Sequence, residues 1–154
     1  MDKTLPDTLP SLPGSYALRL TLAEPVSLTI GRLGQFHFAP GTYLYLGSAH
    51  GPGGLRGRLR HHARAAMRPH WHVDWLRQNA QLVGGWFAVT EGPLECLWSQ
   101  ALEKNLAAIF PVAGFGASDC SLGCHSHLLY FPGEILDEVI KRMLMTVTRD
   151  VAEF

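Results

Sequence analysis

The sequence has few cysteines and no net charge, and each of these features argues against certain classes of protein. Three cysteines stand among 154 residues, an odd number that argues against a disulfide framework and favours a reducing, cytoplasmic setting. The formal net charge is zero, so bulk charge indicates no particular partner. No apolar run reaches the roughly eighteen residues of a membrane span, and the start lacks the pattern of a signal peptide.

What the chain does contain is typical of one globular domain. Hydrophobic residues make up 47% of the sequence, enough for a substantial core. Residues 1–13 are polar and rich in proline, and we expect them to form a flexible leader. Residues 14–154 are then predicted to form a single domain.

Hydrophobic periodicity predicts the secondary structure. Strict alternation over residues 14–22 indicates a half-buried strand. Together with the strands that follow it and a turn at 31–34, it is expected to start an antiparallel sheet in hairpin style. Further strands are predicted at 26–30, 36–38, 42–46, 82–89 and 128–131, with a bulge at Gly84-Gly85. Helices are predicted at 55–67, 71–78, 93–108 and 134–151. The predicted fold class is α/β (α+β), with a small, mostly antiparallel central sheet flanked by helices.

The basic residues are concentrated in one segment. Residues 56–72 contain five arginines, four histidines and no acidic residue. A glycine-rich loop, residues 47–54, precedes the predicted helix, and a loop of this kind can present free N–H groups to an anion. Arg56, Arg60 and Arg64 form a stripe along the helix. The alternative is an ordinary strand–turn–helix with a solvated basic face.

A second cluster of polar residues is His70-Trp71-His72-Val73-Asp74. On a helix His70 and Asp74 would share a face, where they could bind a metal or orient one another. We favour a structural His–Asp hydrogen bond, because two adjacent ligands fall short of a metal site.

The third cluster is Cys120-Ser-Leu-Gly-Cys124-His-Ser-His127. Its three soft ligands would need a fourth to bind zinc, and His70 or His72 could supply it. One alternative is that the thiols are free and buried. Another is that Asp119, Cys120 and His127 lie in the same cleft as Tyr45 and Arg58. There Cys120 and His127 could form a nucleophile–base pair.

Several short motifs, in order, resemble the GIY-YIG nuclease superfamily and, within it, the DUF123 family most closely. The superfamily motifs are Gly14-Ser15-Tyr16, Tyr45-Leu46-Gly47 and Gly54-Leu55-Arg56-Gly57-Arg58-Leu59. The DUF123 stretches are Gly47-Ser48-Ala49, 70–74, Leu94-Glu95-Cys96, 114–120 and Ser126-His127-Leu128. The resemblance extends from Gly14 to about Phe131.

The resemblance implies hydrolysis of DNA phosphodiesters with one divalent metal, Mg²⁺ or Mn²⁺. It implies that Tyr16 and Tyr45 are the tyrosine pair that positions or deprotonates water, and that Arg58 neutralises charge on the phosphate. Glu95 is the implied metal ligand, and His62 an auxiliary acid or base. Ser48 stands where a lysine is usual and joins Arg56, Arg60 and Arg64 as a candidate nucleic-acid contact.

Three functions therefore compete. The first is a metal-dependent endonuclease that acts on DNA in the cytoplasm. The second is a catalytically inactive nucleic-acid-binding module, favoured by the missing lysine and by the lack of a clear equivalent of the asparagine that often closes the active site. The third is a zinc-stabilised domain of unrelated function. The sequence does not indicate an oligomeric state.

Overall fold

The fold is mixed α+β, and the residues that the structure describes form one five-stranded antiparallel sheet, a separate two-stranded sheet and four helices. The computed structural model describes residues 3–65, 67–117, 120 and 122–154. The strands are β1 (Gly14–Leu22), β2 (Val26–Ile30), β3 (Gly34–Phe38), β4 (Gly41–Ala49), β5 (Gln81–Val89), β6 (Leu128–Phe131) and β7 (Ala152–Glu153). The helices are α1 (Gly54–Ala63), α2 (His72–Arg77), α3 (Glu95–Asn105) and α4 (Asp137–Leu144).

The main sheet has the strand order β6-β4-β1-β5-β7, with β1 at its centre. Strand β1 pairs with β4 and β5, while β2 and β3 pair with each other as a separate ribbon. The hairpin expected around the turn at 31–34 is therefore confirmed for β2 and β3, but it lies outside the main sheet. The burial patterns fit this separation: β1, expected to be half-buried, is almost wholly buried, whereas alternate residues of β2 and β3 are exposed. The predicted bulge is confirmed, since the β1–β5 register shifts where β5 passes Gly84.

Each face of the sheet buries its own core. Tyr16, Leu18 and Leu20 of β1 point to one face and pack with residues of α1, α2 and the ribbon. Ala17 points to the opposite face, where the second core contains Trp98 and Leu102 of α3 and Ile140 and Leu144 of α4. A strand covered on both faces has few exposed positions, and this is why β1 can hold side chains of the candidate site in fixed positions.

Helix α1 is shorter than its periodicity predicts, and a tertiary contact closes its end. Helix α1 stops at Ala63 instead of continuing to residue 67, because Arg64 is extended. The buried Arg77 closes this helix end: its guanidinium donates to the carbonyls of His62 (2.8 Å) and Ala63 (3.2 Å). These carbonyls belong to the last turn of the helix, where the backbone itself supplies no N–H donors for them.

The proline-rich leader lies against the domain. Leu9 is buried in the first core, and the backbone N–H of Lys3 donates to the carbonyl of Leu82 at 2.6 Å. At the other end of the chain, strand β7 adds an edge to β5, and Phe154 exchanges backbone hydrogen bonds with Gly85. In the part of the chain that the structure describes, no helix has the length and apolar character needed to cross a bilayer.

Candidate functional site

A buried tyrosine pair lies on the α1 face of the main sheet. Tyr16 of β1 and Tyr45 of β4 have ring centroids 6.4 Å apart, and the Tyr16 hydroxyl lies 2.8 Å from Nε2 of His62. Gly47 faces Tyr16 across the β1–β4 ladder, and a Cβ there would come within 2.4 Å of the phenol oxygen. The glycine therefore makes the space that the Tyr16 side chain fills.

Burial keeps the two phenols and the adjacent imidazole of His62 uncharged. It raises the pKa of Tyr16 to about 12, although the nearby Arg58 guanidinium acts in the opposite direction. Burial also raises the pKa of Tyr45 well above its usual value. The same cause lowers the pKa of His62 to about 3, against the attraction of a nearby carboxylate. At neutral pH both phenols therefore keep their protons and the imidazole is neutral.

Asp74, on α2, organises the neighbouring loop. Its carboxylate accepts hydrogen bonds from the backbone N–H groups of His70 (2.8 Å) and Trp71 (3.0 Å) and from the side chain of His61 (3.0 Å). Burial alone would raise the pKa of Asp74, but these hydrogen bonds outweigh it and lower the pKa. The favoured hydrogen bond between His70 and Asp74 is present, but the His70 backbone N–H makes it; His70 precedes α2 and is exposed. One ligand atom each from His61, His62 and Asp74 also lies within 4.8 Å of the others.

Arg58 stands on α1 at the border of an open cleft. Its Nη1 donates to the backbone carbonyl of Ser48 at 3.1 Å, and its guanidinium stacks 4.1 Å above the ring of Trp71. Stacking of this kind fixes the orientation of the planar group. The cleft, hereafter the Arg58 cleft, has a volume of about 410 Å³ and is lined by Ala49, Gly51, Pro52, Gly54, Gly57, Arg58, His61 and Trp71.

Glu95, the first residue of α3, is held by a chain of hydroxyl groups. The backbone N–H of Leu94 donates to Ser15 Oγ at 2.8 Å, Ser15 Oγ lies 2.7 Å from Ser48 Oγ, and Ser48 Oγ donates to Glu95 Oε2. Each hydroxyl has one proton, so the donations run in one direction and end at the carboxylate. Arg58 and Glu95 therefore meet at Ser48, one on its carbonyl and the other on its hydroxyl.

The arginine stripe of α1 divides into two parts. Arg60 and Arg64 are exposed and line a groove of about 600 Å³ together with Gly57, His61, Ala65 and Met67. Met67 is 95% exposed at the end of this groove. Arg56, by contrast, donates from Nε to the carbonyl of Leu9 at 2.7 Å and so faces the leader. Two of the three stripe residues are thus available to a large ligand.

The start of α1 does not present free N–H groups to an anion. The N–H of Leu55 donates to the carbonyl of Leu12 and that of Arg56 to the carbonyl of Pro10, each at 2.9 Å. The expectation of an anion site at this helix terminus was therefore wrong. The carbonyl groups of the leader already accept hydrogen bonds from these N–H groups. A strand–loop–helix connection alone would leave the N–H groups free.

A cluster of soft ligands lies beside the N-terminus of α3. It consists of Cys96, Cys120, Cys124 and His127, hereafter the cysteine cluster, and one ligand atom of each lies within 4.8 Å of all the others. Cys96 Sγ is 2.8 Å from Cys120 Sγ and 3.3 Å from His127 Nε2. The sulfurs of Cys96 and Cys124 are in disulfide contact, with Cα atoms 6.1 Å apart. The described part of the chain thus contains a possible metal-binding group.

The fourth member of this cluster was not foreseen. His70 and His72 were expected as the additional ligand, but His72 Nδ1 accepts a hydrogen bond from the Gly116 N–H at 2.8 Å and Cys96 takes the place instead. A signal was present in the sequence: Cys96 is the one remaining cysteine, adjacent to Glu95. Asp119, also proposed for this region, lies outside the described residues.

The fold and these groups define an α+β protein in which an arginine at an open cleft and a nearby carboxylate are both bonded to one serine, beside a cysteine–histidine cluster. Residues 15–148 match the family model described as Domain of unknown function DUF123. Since the match covers most of the chain, the protein belongs to the DUF123 family. No curated protein and no solved structure matches the chain.

Proposed function

We propose that this protein is a metal-dependent endonuclease that hydrolyses DNA phosphodiester bonds, as its resemblance to GIY-YIG nucleases implies. The observation that carries the proposal is the meeting of Arg58 and Glu95 at Ser48, next to the buried pair of Tyr16 and Tyr45. A fixed cation and a fixed carboxylate bonded to the same residue are groups that phosphodiester hydrolysis can use.

Arg58 is suited to the phosphate. Its guanidinium is half-buried and oriented by Trp71 and by the Ser48 carbonyl, so little reorganisation is needed when charge develops on the phosphoryl oxygens. The exposed Arg60 and Arg64 would contact phosphates of the flanking backbone.

Glu95 fits the divalent metal. Its carboxylate is partly exposed and anchored by Ser48, and Mg²⁺ is commonly bound through one or two carboxylates together with substrate phosphate and water. When bound, Mg²⁺ or Mn²⁺ would act as a Lewis acid and stabilise the leaving oxygen. The sulfur-rich cysteine cluster is unsuited to Mg²⁺, which prefers oxygen ligands.

The tyrosines would orient groups in the site instead of acting as bases. With a pKa of about 12, Tyr16 keeps its proton at neutral pH, and its hydroxyl is hydrogen-bonded to the neutral His62. Of the two roles that the resemblance allows a tyrosine, positioning of the attacking water is therefore the one that burial favours.

A cleavage assay tests the proposal. Wild type, Arg58→Ala and Glu95→Gln would be incubated with Mg²⁺ or Mn²⁺ and with supercoiled, linear, branched and single-stranded DNA. We expect each substitution to reduce cutting by about 10²-fold or more, the typical effect of removing one group that stabilises the transition state. Arg142→Ala and Glu138→Gln, on the exposed face of α4, are matched controls and should cut as wild type does.

Equal cutting by all five proteins would reject the assignment of the site. No cutting by any of them, on any substrate, would favour the second candidate, a catalytically inactive nucleic-acid-binding module with the same fold. The specific support for this module is that the exposed Arg60 and Arg64 border an open groove. The tyrosines are not part of that groove, so binding there would not depend on their catalytic competence.

DNA binding separates this second candidate from a domain without nucleic-acid function. The affinity of wild type should fall steeply with salt concentration. Replacement of Arg60 and Arg64 by alanine should reduce the slope of log K against log salt by about 0.9 for each phosphate that the variant no longer neutralises. Arg142→Ala should leave the slope unchanged. An affinity that responds neither to salt nor to the α1 substitutions would exclude nucleic-acid binding by this groove.

A further inference from the structure

We propose that Cys96, Cys120, Cys124 and His127 bind one structural zinc ion, a site separate from the metal proposed at Glu95. The four ligand atoms all lie within 4.8 Å of one another. In tetrahedral zinc sites with Zn–S bonds near 2.3 Å, ligand atoms are separated by about 3.8 Å. Four side chains that converge to this degree can therefore surround a single ion after small adjustments of their rotamers.

The chemical composition of the cluster favours zinc. Three thiols and one imidazole form a Cys₃His set, which is a common ligand set of closed structural zinc sites. All the cysteines of the chain belong to it, although they come from two separate segments. A disulfide between Cys96 and Cys124 would use two of the four groups and would give no role to Cys120 Sγ, 2.8 Å from Cys96 Sγ.

The surroundings also suit a closed site. Cys96 and His127 are buried, and Cys120 and Cys124 are partly buried. His127 is fixed through its backbone, because its N–H donates to the Phe115 carbonyl at 2.8 Å and its carbonyl accepts from the Leu46 N–H at 2.9 Å. A ligand whose main chain is held by the sheet and the adjacent loop is positioned before any ion binds.

The ion would join two segments that are distant in the sequence. Cys96 lies in the first turn of α3, while Cys120 and Cys124 lie in the loop that leads to β6. Strand β6 pairs with β4, which carries Tyr45 and Ser48. Zinc would thus fix the start of α3, and with it Glu95, relative to the sheet.

The first test is the metal content of the full chain purified under reducing conditions and dialysed against a weak chelator. We expect about one zinc per chain by elemental analysis. Replacement by Co²⁺ should give the thiolate-to-cobalt charge-transfer absorption of a cysteine-rich tetrahedral site. Chelator treatment should lower the melting temperature of the wild type by several degrees.

The second test uses matched variants. Cys124→Ser and His127→Gln should lose most of the zinc, whereas His125→Gln, in the same loop but outside the cluster, should retain it. Wild type with less than a tenth of an equivalent of zinc would overturn the proposal. So would a Cys96–Cys124 disulfide found by alkylation of unfolded, unreduced protein, or equal zinc retention by all variants. Because the readout is metal content, the outcome does not depend on nuclease activity.

Discussion

Protonation of the buried His62 should make the protein lose stability in mildly acidic solution. Its pKa is about 3 in the folded protein, against about 6.5 in an unfolded chain. Between these values the unfolded chain binds a proton that the folded protein does not, so the free energy of unfolding decreases as pH falls. The slope approaches about 1.4 kcal/mol per pH unit, which gives a loss of about 2 kcal/mol between pH 6.5 and 4.5.

Urea denaturation of wild type and His62→Gln at half-unit pH intervals would measure this effect. Glutamine cannot titrate in this range but can still form a hydrogen bond with the Tyr16 hydroxyl, as donor or as acceptor. The difference between the two proteins isolates His62 from every other titrating group, including Asp74, whose lowered pKa acts only at more acidic pH. Parallel curves for the two proteins over pH 4.5–6.5 would refute the conclusion that the imidazole is buried in its neutral form.

Two further predictions concern packing. Gly47→Ala should lower the free energy of unfolding by about 1–3 kcal/mol, because the new Cβ would meet the Tyr16 hydroxyl at 2.4 Å. Gly51→Ala, with no atom within 4 Å of its Cβ, is the control in the same thermal or urea assay, and an equal effect of both changes would contradict the steric explanation. Leu102→Ala should cost about 2–5 kcal/mol because Leu102 is fully buried, while Leu97→Ala on the exposed side of α3 should cost far less. Similar midpoints for these two variants would show that the second core does not depend on Leu102.

Local patterns could predict the strands but not the arrangement that surrounds the site. The alternation in residues 14–22 follows directly from a two-residue period, and β1 has these bounds in the structure. The turn at 31–34 predicts the pairing of β2 with β3, but the separation of this hairpin from the main sheet depends on how strands compete for the centre of that sheet, which no single segment encodes. Periodicity likewise cannot show that Arg77 closes α1, since the two are joined only by tertiary contact.

Some residues of the candidate site could likewise be predicted from the sequence, while others depend on tertiary packing. Motif order was sufficient to select Tyr16, Tyr45, Arg58 and Glu95, which the fold brings to one region. Spacing within a loop could not select Cys96 as the partner of Cys120, because the two are 24 residues apart and their proximity depends on how α3 packs. The same limit applies to the leader carbonyls that occupy the first N–H groups of α1.

Helix α1 is bonded at both ends by other parts of the chain, the leader at its start and Arg77 at its finish. Its arginines therefore lie on a segment that is already ordered. Binding of a ligand to them would not carry the entropic cost of forming the helix. For the proposed binding of a polyanion, the remaining terms in the affinity would be side-chain ordering and counterion release. The leader, far from these arginines in sequence, would contribute to that affinity by keeping the helix ordered.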